Sequence, residues 1–246
     1  MKEKEYYEKI KKWDFNDFSI ESEELTDWNL YEMLEKLAND DSRILDLGTG
    51  GGEKLLAFYP KCLEIVGTDY SEKMIETAKK NLERSGRCDV KFRVMNNLEM
   101  DVLDDYFDIV VARHTITDPK QIYKCLKKGG YLLIQGVDKA DCWSLKMMFE
   151  RGQGYDDVKP QSLVDYENVI NAGFKDIELV PLHVREYFND ERSFKRFLNT
   201  VPIINDFSNR DCSLLDEDLL DKYIVENTYN GKILLLRRYY GIVAKK

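Results

Sequence analysis

The sequence predicts an α/β fold with a doubly wound sheet, and three observations carry that reading. Short apolar runs of strand length alternate with stretches of helical period, which is how β-α-β units read. The first run, Arg43-Ile44-Leu45-Asp46-Leu47, breaks into Gly48-Thr49-Gly50-Gly51-Gly52, four glycines within five residues, and Glu53 then opens a helical pattern. The second run, Leu63 to Thr68, ends on Asp69, 21 residues beyond Gly48. A bare main chain between strand and helix lets a ligand lie directly against the backbone, and the first helical amides point at it. An acid at the end of the next strand can accept both hydroxyls of a ribose.

The turn has two readings. A dinucleotide fingerprint places a small residue where Glu53 stands, because that residue packs the helix beneath a pyrophosphate. A carboxylate there would face phosphates. The order Asp46-x-Gly48-x-Gly50-x-Gly52 instead resembles the first motif of class I S-adenosylmethionine-dependent methyltransferases, whose cofactor carries a sulfonium and an amino-acid end and no phosphate. A second segment strengthens the resemblance. Phe107-Asp108-Ile109-Val110-Val111-Ala112-Arg113-His114, followed by Leu126-Lys127-Lys128-Gly129-Gly130-Tyr131-Leu132-Leu133-Ile134, is similar to the small-molecule methyltransferase pattern, so the likeness spans residues 43 to 136.

That resemblance implies a Rossmann-like, seven-stranded, mostly parallel sheet with an antiparallel last strand. It also implies S-adenosyl-L-methionine as cofactor. Asp46, Gly48, Thr49, Gly50 and Gly52 would cradle its amino-acid end, Asp69 the ribose, and Tyr70 and Met74 would flank ribose and adenine. Counting back twelve residues from Asp108, as the family pattern does, places Asn96 where an acid commonly takes the adenine amino group, followed by Asn97 and Leu98. Asparagine keeps an acceptor oxygen with less charge. Arg113 would touch the cofactor by its backbone or pair with an acid. Met74 reads equally well as core.

Composition bounds the alternatives. At 246 residues, with 43% hydrophobic residues, the chain can bury a sizeable core. No stretch approaches the ~20 apolar residues of a membrane span, and the start has no apolar signal region, so the expectation is a cytoplasmic protein without a membrane partner. Five cysteines without a Cys-x-x-Cys pair indicate neither a disulfide framework nor a zinc site, and no metal is expected. A net charge of −9 opposes attraction to a nucleic-acid backbone.

In chain order, Tyr6, Ile10 and Trp13 recur at helical spacing, and Thr26 or Asp27 caps a helix with Leu30, Met33, Leu34 and Leu37 on one face. With Phe15, Phe18 and Trp28, Trp13 either walls a cavity or holds these helices down. Residues 1–41 are thus a helical segment ahead of a cofactor-binding core, 42–189. Ser71 caps a helix with Met74, Ile75 and Ala78 inward, stopped at Ser85-Gly86. Val90 to Val94 is the third strand and Tyr106 to Ala112 the fourth. Lys120 to Lys128 reads as a helix ended by Gly129-Gly130, before a fifth strand, Tyr131 to Ile134. Residues 139–160 are irregular apart from one turn at Lys146 to Phe149. A helix, Gln161 to Ala172, and a long strand, Phe174 to Tyr187, follow. Alternation puts His183, Arg185 and Tyr187 on one face, lining a pocket or meeting solvent. Residues 190–231 read as a helical cap, with Phe194, Phe197, Leu198 and Val201 in one helix and Leu219, Leu220, Tyr223 and Ile224 in another. Residues 232–246 return as the last strand.

Methyl transfer from a sulfonium needs alignment and exclusion of water more than catalytic side chains. Where the acceptor is a hydroxyl, a base assists, and His114, at the end of the fourth strand, is the candidate catalytic residue; the alternative is a hydrogen-bonded structural histidine. Tyr187 and Tyr229 are weaker pocket candidates. The sequence Asn-Pro-Pro-Tyr, which marks amide and adenine amino methylation, is replaced by Arg113-His114-Thr115-Ile116. The expectation is transfer to a small-molecule acceptor by a monomer or homodimer. Its rivals are a noncatalytic binder of the same cofactor and an NAD-dependent oxidoreductase.

Overall fold

The computed structural model describes residues 18–205 and 216–246. The helix expected around Tyr6, Ile10 and Trp13, and also Phe15 and Cys212, lie outside the described residues. Within them, β2 (Arg43–Leu47), β3 (Glu64–Asp69), β4 (Val90–Val94), β5 (Phe107–Arg113) and β6 (Leu126–Val137) run parallel in the order β4-β3-β2-β5-β6. The sheet continues through β9 (Lys232–Lys245), antiparallel to β6, to β7 (Lys175–Phe188), antiparallel to β9. These are the seven strands the resemblance implies, with the last one antiparallel. Two more extend the sheet: β1 (Ile20–Glu24) pairs with β7 at one edge, and β8 (Thr228–Tyr229) pairs with β9.

Parallel strands covered on both faces must be apolar on both faces. On β5, Val110 and Ala112 join a core with Ile122, Cys125 and Val169, while Ile109 and Val111 face a second core with Leu34, Leu55 and Ile75. The first core lies under α4 (Pro119–Cys125) and α6 (Gln161–Ala172), the second under α1 (Leu30–Leu37), α2 (Glu53–Phe58) and α3 (Glu72–Ser85). No helix among the described residues is long and apolar enough to cross a membrane.

Local chemistry sets the ends of these elements. Ser71 accepts the Met74 amide at the start of α3, and Gly86 closes it at φ 67°. Asn29, rather than Thr26 or Asp27, caps α1, accepting from the amides of Tyr31 and Glu32. Thr26 is engaged elsewhere, its hydroxyl donating to the Pro181 carbonyl and accepting from the His183 amide. The helix expected to run to Lys128 stops at Cys125, and the chain enters β6 at Leu126. The early exit is fixed from the C-terminus: Gly129 donates to the Lys246 carbonyl, Lys246 Nζ donates to the Leu126 carbonyl, and Lys127 pairs with Asp108 at 2.8 Å.

A third core carries the cap. β6 ends at Val137 opposite Tyr239, but β7 and β9 pair on to Phe188 and Ile233, so their hairpin stands beyond the C-terminal edge of the parallel strands. α5 (Trp143–Phe149), α7 (Glu191–Thr200) and α8 (Glu217–Glu226) pack against that extension through Leu145, Phe188, Phe194, Phe197, Leu220, Tyr223 and Leu235. At its base Arg237, 7% exposed, donates to both oxygens of Asp141, 2% exposed, at 3.0 and 3.1 Å, and to Glu186 at 3.1 and 3.3 Å. Removing one partner from a buried pair leaves the other charge uncompensated. Asp141→Ala is therefore expected to cost about 3 kcal/mol in urea-induced unfolding, and a loss below about 1 kcal/mol would mean that Glu186 alone neutralises the guanidinium.

Candidate functional site

The C-terminal ends of β2, β3, β4 and β5 lie side by side at one edge of the sheet, and the glycine turn after β2 borders the open space beyond them, the crevice. Thr49 donates its amide to the Thr68 carbonyl at 2.8 Å, hooking the turn onto β3. Gly48 sits at φ 73°, and a Cβ there would meet the Thr115 Cβ at 2.6 Å, so the turn presses against the segment leaving β5. Gly50, at φ 58°, is different: a Cβ there would meet no protein atom within 4 Å. Its side opens onto the crevice. Gly52 is the N-cap of α2, at φ 76°, with Phe92 against it.

Asp69 ends β3 and accepts from the Gly50 amide at 2.9 Å and from the Ser71 amide at 2.9 Å. One carboxylate thus holds the glycine turn and the entry to α3 at a fixed separation. Asn81, on α3, closes the same turn from outside, donating to the Gly51 carbonyl at 2.9 Å and to Glu53 at 3.4 Å. Glu53 stands at the first position of α2, where a dinucleotide site would place a small residue.

Asp46 is 5% exposed and accepts from the Tyr59 hydroxyl at 2.5 Å. Burial pushes its carboxyl up to about 6, opposed by the Tyr59 hydrogen bond and by the Arg113 guanidinium. Thr49 Oγ1 lies near enough to lower it too, yet makes no hydrogen bond of good geometry. Tyr31, on α1, belongs to the same group. Burial raises its hydroxyl's pKa, and it feels both Arg113 and Asp46, while its oxygen is buried with no hydrogen-bond partner among the described residues. The Arg113 side chain makes no hydrogen bond or ion pair among the described residues, and its charge acts on Asp46 and Tyr31.

On the other side of the turn, Asn97 Nδ2 donates to Thr115 Oγ1 at 3.0 Å and to the Ile116 carbonyl at 3.3 Å, leaving Asn97 Oδ1 buried without a donor. Asn96 Oδ1 accepts the Leu98 amide at 3.0 Å, which shapes the turn after β4 and uses one of its two acceptor positions. Tyr70, Leu98 and Ile116 expose apolar surface at the ends of these strands. Met74 is buried in the first turns of α3.

His114 follows β5 in a left-handed conformation, φ 53°, its amide donating to the Gln135 carbonyl at 2.8 Å. Part of His114 is exposed at the end of the crevice, and its ring stacks on Tyr239, centroids 5.3 Å apart. The surrounding protein and the charges of Arg113 and Arg237 lower its pKa from the ordinary histidine value. His183, Arg185 and Tyr187 lie on the opposite face of the β7–β9 hairpin, where Arg185 and Tyr187 bind Glu23. Tyr229 is exposed on β8.

Sequence reasoning singled out Asp46, the glycines, Asp69, Asn96, Asn97 and His114, and the fold brings them to one edge of the sheet. It passed over Tyr31, Tyr59, Asn81 and Tyr239, which reach that edge from four other elements. Tyr31 and Asn81 are polar positions on otherwise apolar helical faces, Tyr59 caps the end of α2, and Tyr239 alternates with Arg237 along β9, none of them a pattern that singles a residue out.

Comparison with known proteins places the chain. Residues 38–167, more than half of it, match the family model described as a methyltransferase domain. An uncharacterized methyltransferase of Bacillus subtilis, YcgJ, is 31% identical over 101 residues, covering 38% of this chain and 40% of its own. The release factor glutamine methyltransferase of Agrobacterium fabrum is 36% identical over 95 residues, 37% of this chain and 32% of its own. The chain therefore spans well under half the length of these curated relatives. Among solved structures, that of Bacillus subtilis YcgJ superposes with a TM-score of 0.60 at 18% identity, covering 88% of this chain and 97% of the other. A phosphoethanolamine N-methyltransferase of Haemonchus contortus, solved with S-adenosylhomocysteine, gives 0.53 at 20% identity, over 89% of this chain and 53% of the other. At those identities the likeness is one of fold. The family model rests on sequence, and by it this chain belongs to the methyltransferase domain family.

Proposed function

We propose that the protein binds S-adenosyl-L-methionine in the crevice above the glycine turn and transfers its methyl group to a small-molecule acceptor under the cap. The observation that carries this reading is a set of groups around the turn, Tyr31 Oη, Thr49 Oγ1 and Asn97 Oδ1, buried with no hydrogen-bond partner of good geometry among the described residues, beside the Arg113 guanidinium. Buried polar atoms left without partners cost about 1 to 3 kcal/mol each, and a ligand with polar groups at both ends would relieve them. The cofactor's donor and acceptor groups match their sequence. Tyr31 and Arg113 are suited to its carboxylate, Asp46 to its positive charges, Asp69 to the ribose hydroxyls, and Asn97 with Asn96 to the adenine amino group. Tyr70, Leu98 and Ile116 would cover the ring.

When bound, this cofactor supplies a methyl group already activated on a sulfonium. The chain's task is then to align an acceptor and keep water out. The cap standing beyond the sheet edge is suited to that exclusion, and it favours a small acceptor over a protein one. His114, with a lowered pKa and no hydrogen bond to either ring nitrogen among the described residues, is suited to take the proton of an acceptor hydroxyl. An NAD site is disfavoured by the Glu53 carboxylate held over the turn by Asn81.

Calorimetry with S-adenosylmethionine, S-adenosylhomocysteine and NAD tests the cofactor assignment, with binding of the first two and none of NAD expected; the reverse pattern overturns it. Incubation with tritiated S-adenosylmethionine and fractionated small metabolites then tests transfer. Label recovered only on proteins would contradict the small-molecule acceptor.

Asp69→Ala should weaken S-adenosylmethionine by about 2 to 3 kcal/mol through lost charge-assisted hydrogen bonds. An unchanged affinity would mean that the ribose lies elsewhere. Asp46 predicts a pH dependence. Its carboxyl titrates at about 6, and a ligand with positive charge beside it prefers the ionised form, so affinity should rise through that pH and be up to about tenfold weaker at pH 5 than at pH 7.5. In the absence of ligand the sign for stability is opposite. A raised carboxyl pKa favours the fold below it, so Asp46 costs stability above about pH 6. Asp46→Asn should flatten the affinity profile; a profile that persists in this variant would assign the titration to another group.

A further inference from the structure

The acceptor end of the crevice is built on a series of stacked groups that reaches into the core of the cap. Arg237 lies with its guanidinium carbon 5.6 Å from the Phe197 ring centroid and 5.0 Å from that of Tyr239, and the Tyr239 ring stacks on His114 at 5.3 Å, the planes 24° apart. Arg237 is itself fixed, bidentate to Asp141 and to Glu186, and Asp141 also accepts the Arg238 amide at 2.8 Å. β9 carries Tyr239 at its register with the last residue of β6, where the sheet stops and the cap hairpin goes on. The stack thus crosses the junction between cofactor core and cap.

At the crevice end His114 is held by little else. Its backbone sits in the left-handed region, where non-glycine residues are sparse and which occurs at functional sites more than elsewhere. Its side chain makes no hydrogen bond among the described residues, so neither nitrogen is fixed by a partner. Among the described residues, the charged groups acting on it are Arg113 at the end of its own strand and Arg237 on β9. Among the described residues, stacking on Tyr239 is the ring contact that sets its orientation.

We propose that Tyr239, braced by Arg237, is a positioning residue that fixes the His114 ring at the acceptor end of the crevice and leaves both imidazole nitrogens to the acceptor. This rests on the reading of His114 as the acceptor-facing base. Two consequences are measurable without knowing the acceptor. The Tyr239 ring current displaces the His114 carbon-bound protons upfield. And packing of that ring shields one face of the imidazole from water, which adds to the effect of the two guanidinium groups in lowering its pKa.

The sequence contains two histidines, His114 and His183, so tag-free protein gives two sets of imidazole signals in a proton–carbon NMR titration, assigned with His114→Gln. In the unmodified protein the His114 signals should lie upfield of those of a free histidine, with a midpoint below the ordinary value of about 6.5. Tyr239→Leu should abolish the displacement and move the midpoint upward, and Tyr239→Phe, which keeps the ring, should retain both. A His114 resonance in the unmodified protein at the position and midpoint of a free histidine overturns the proposal, as does a Tyr239→Leu spectrum that matches the unmodified one. Should Tyr239→Leu not fold, the unmodified protein and Tyr239→Phe still decide it. Calorimetry with S-adenosylhomocysteine on the same samples separates this from the cofactor reading. Equal affinity in all three is expected. Loss in Tyr239→Leu with Tyr239→Phe unaffected would put Tyr239 in the cofactor cradle and contradict the assignment. Absence of binding throughout would defeat the cofactor reading while the NMR result still stands or falls by itself.

Discussion

Asp69 holds the crevice in shape. Its two oxygens take the amides of Gly50 and Ser71, one from the turn after β2 and one from the entry to α3. Two strand–turn–helix units are thereby tied at a single carboxylate, which also has acceptor positions left for a ligand. The glycine turn could not close this way with side chains in it. Gly48 is pressed against Thr115, and Gly50 keeps its open side to the crevice. Because the carboxylate and the turn depend on each other, the site is organised before any ligand arrives, and little ordering cost remains for binding.

The second constraint comes from the length of β7 and β9. Carried past the end of β6, the hairpin gives the cap helices a surface to pack on and places the third core beyond the sheet edge, beside the open end of the crevice. Burying Arg237 at the junction would be costly alone, and the two acids that surround it make the arrangement tenable. Arg237 also packs on Phe197 in the cap and on Tyr239 next to His114, so one side chain contacts both regions at that point.

How much of this was legible in the sequence depends on how far apart the participants lie. The parallel sheet, the turn and Asp69 follow from local patterns: Ile44 to Leu47 reads as a strand, the glycines read as a turn, and Ser71 to Gly86 reads as a capped helix. The cap helices were legible for the same reason, since Phe194, Phe197 and Leu198 keep a helical period. Where distant segments decided the outcome, local pattern failed. Lys128 reads as helix, but Lys246, more than a hundred residues later, draws Leu126 to Gly130 into the ladder. Thr26 reads as a cap and is instead tied to β7. Tyr31, Tyr59 and Tyr239 look like ordinary amphipathic aromatics until folding sets their hydroxyls or rings against Asp46, Arg113 and His114.

The central claim is that the backbone of the glycine turn and the Asp69 carboxylate together receive S-adenosylmethionine. A crystal structure of the full chain with S-adenosylhomocysteine tests it most directly. In that complex the ribose hydroxyls are expected on Asp69, the amino-acid end against Gly48 to Gly50 with its carboxylate toward Tyr31 and Arg113, and the sulfur facing His114. A ligand bound elsewhere, or one in this crevice whose ribose does not reach Asp69, would contradict it.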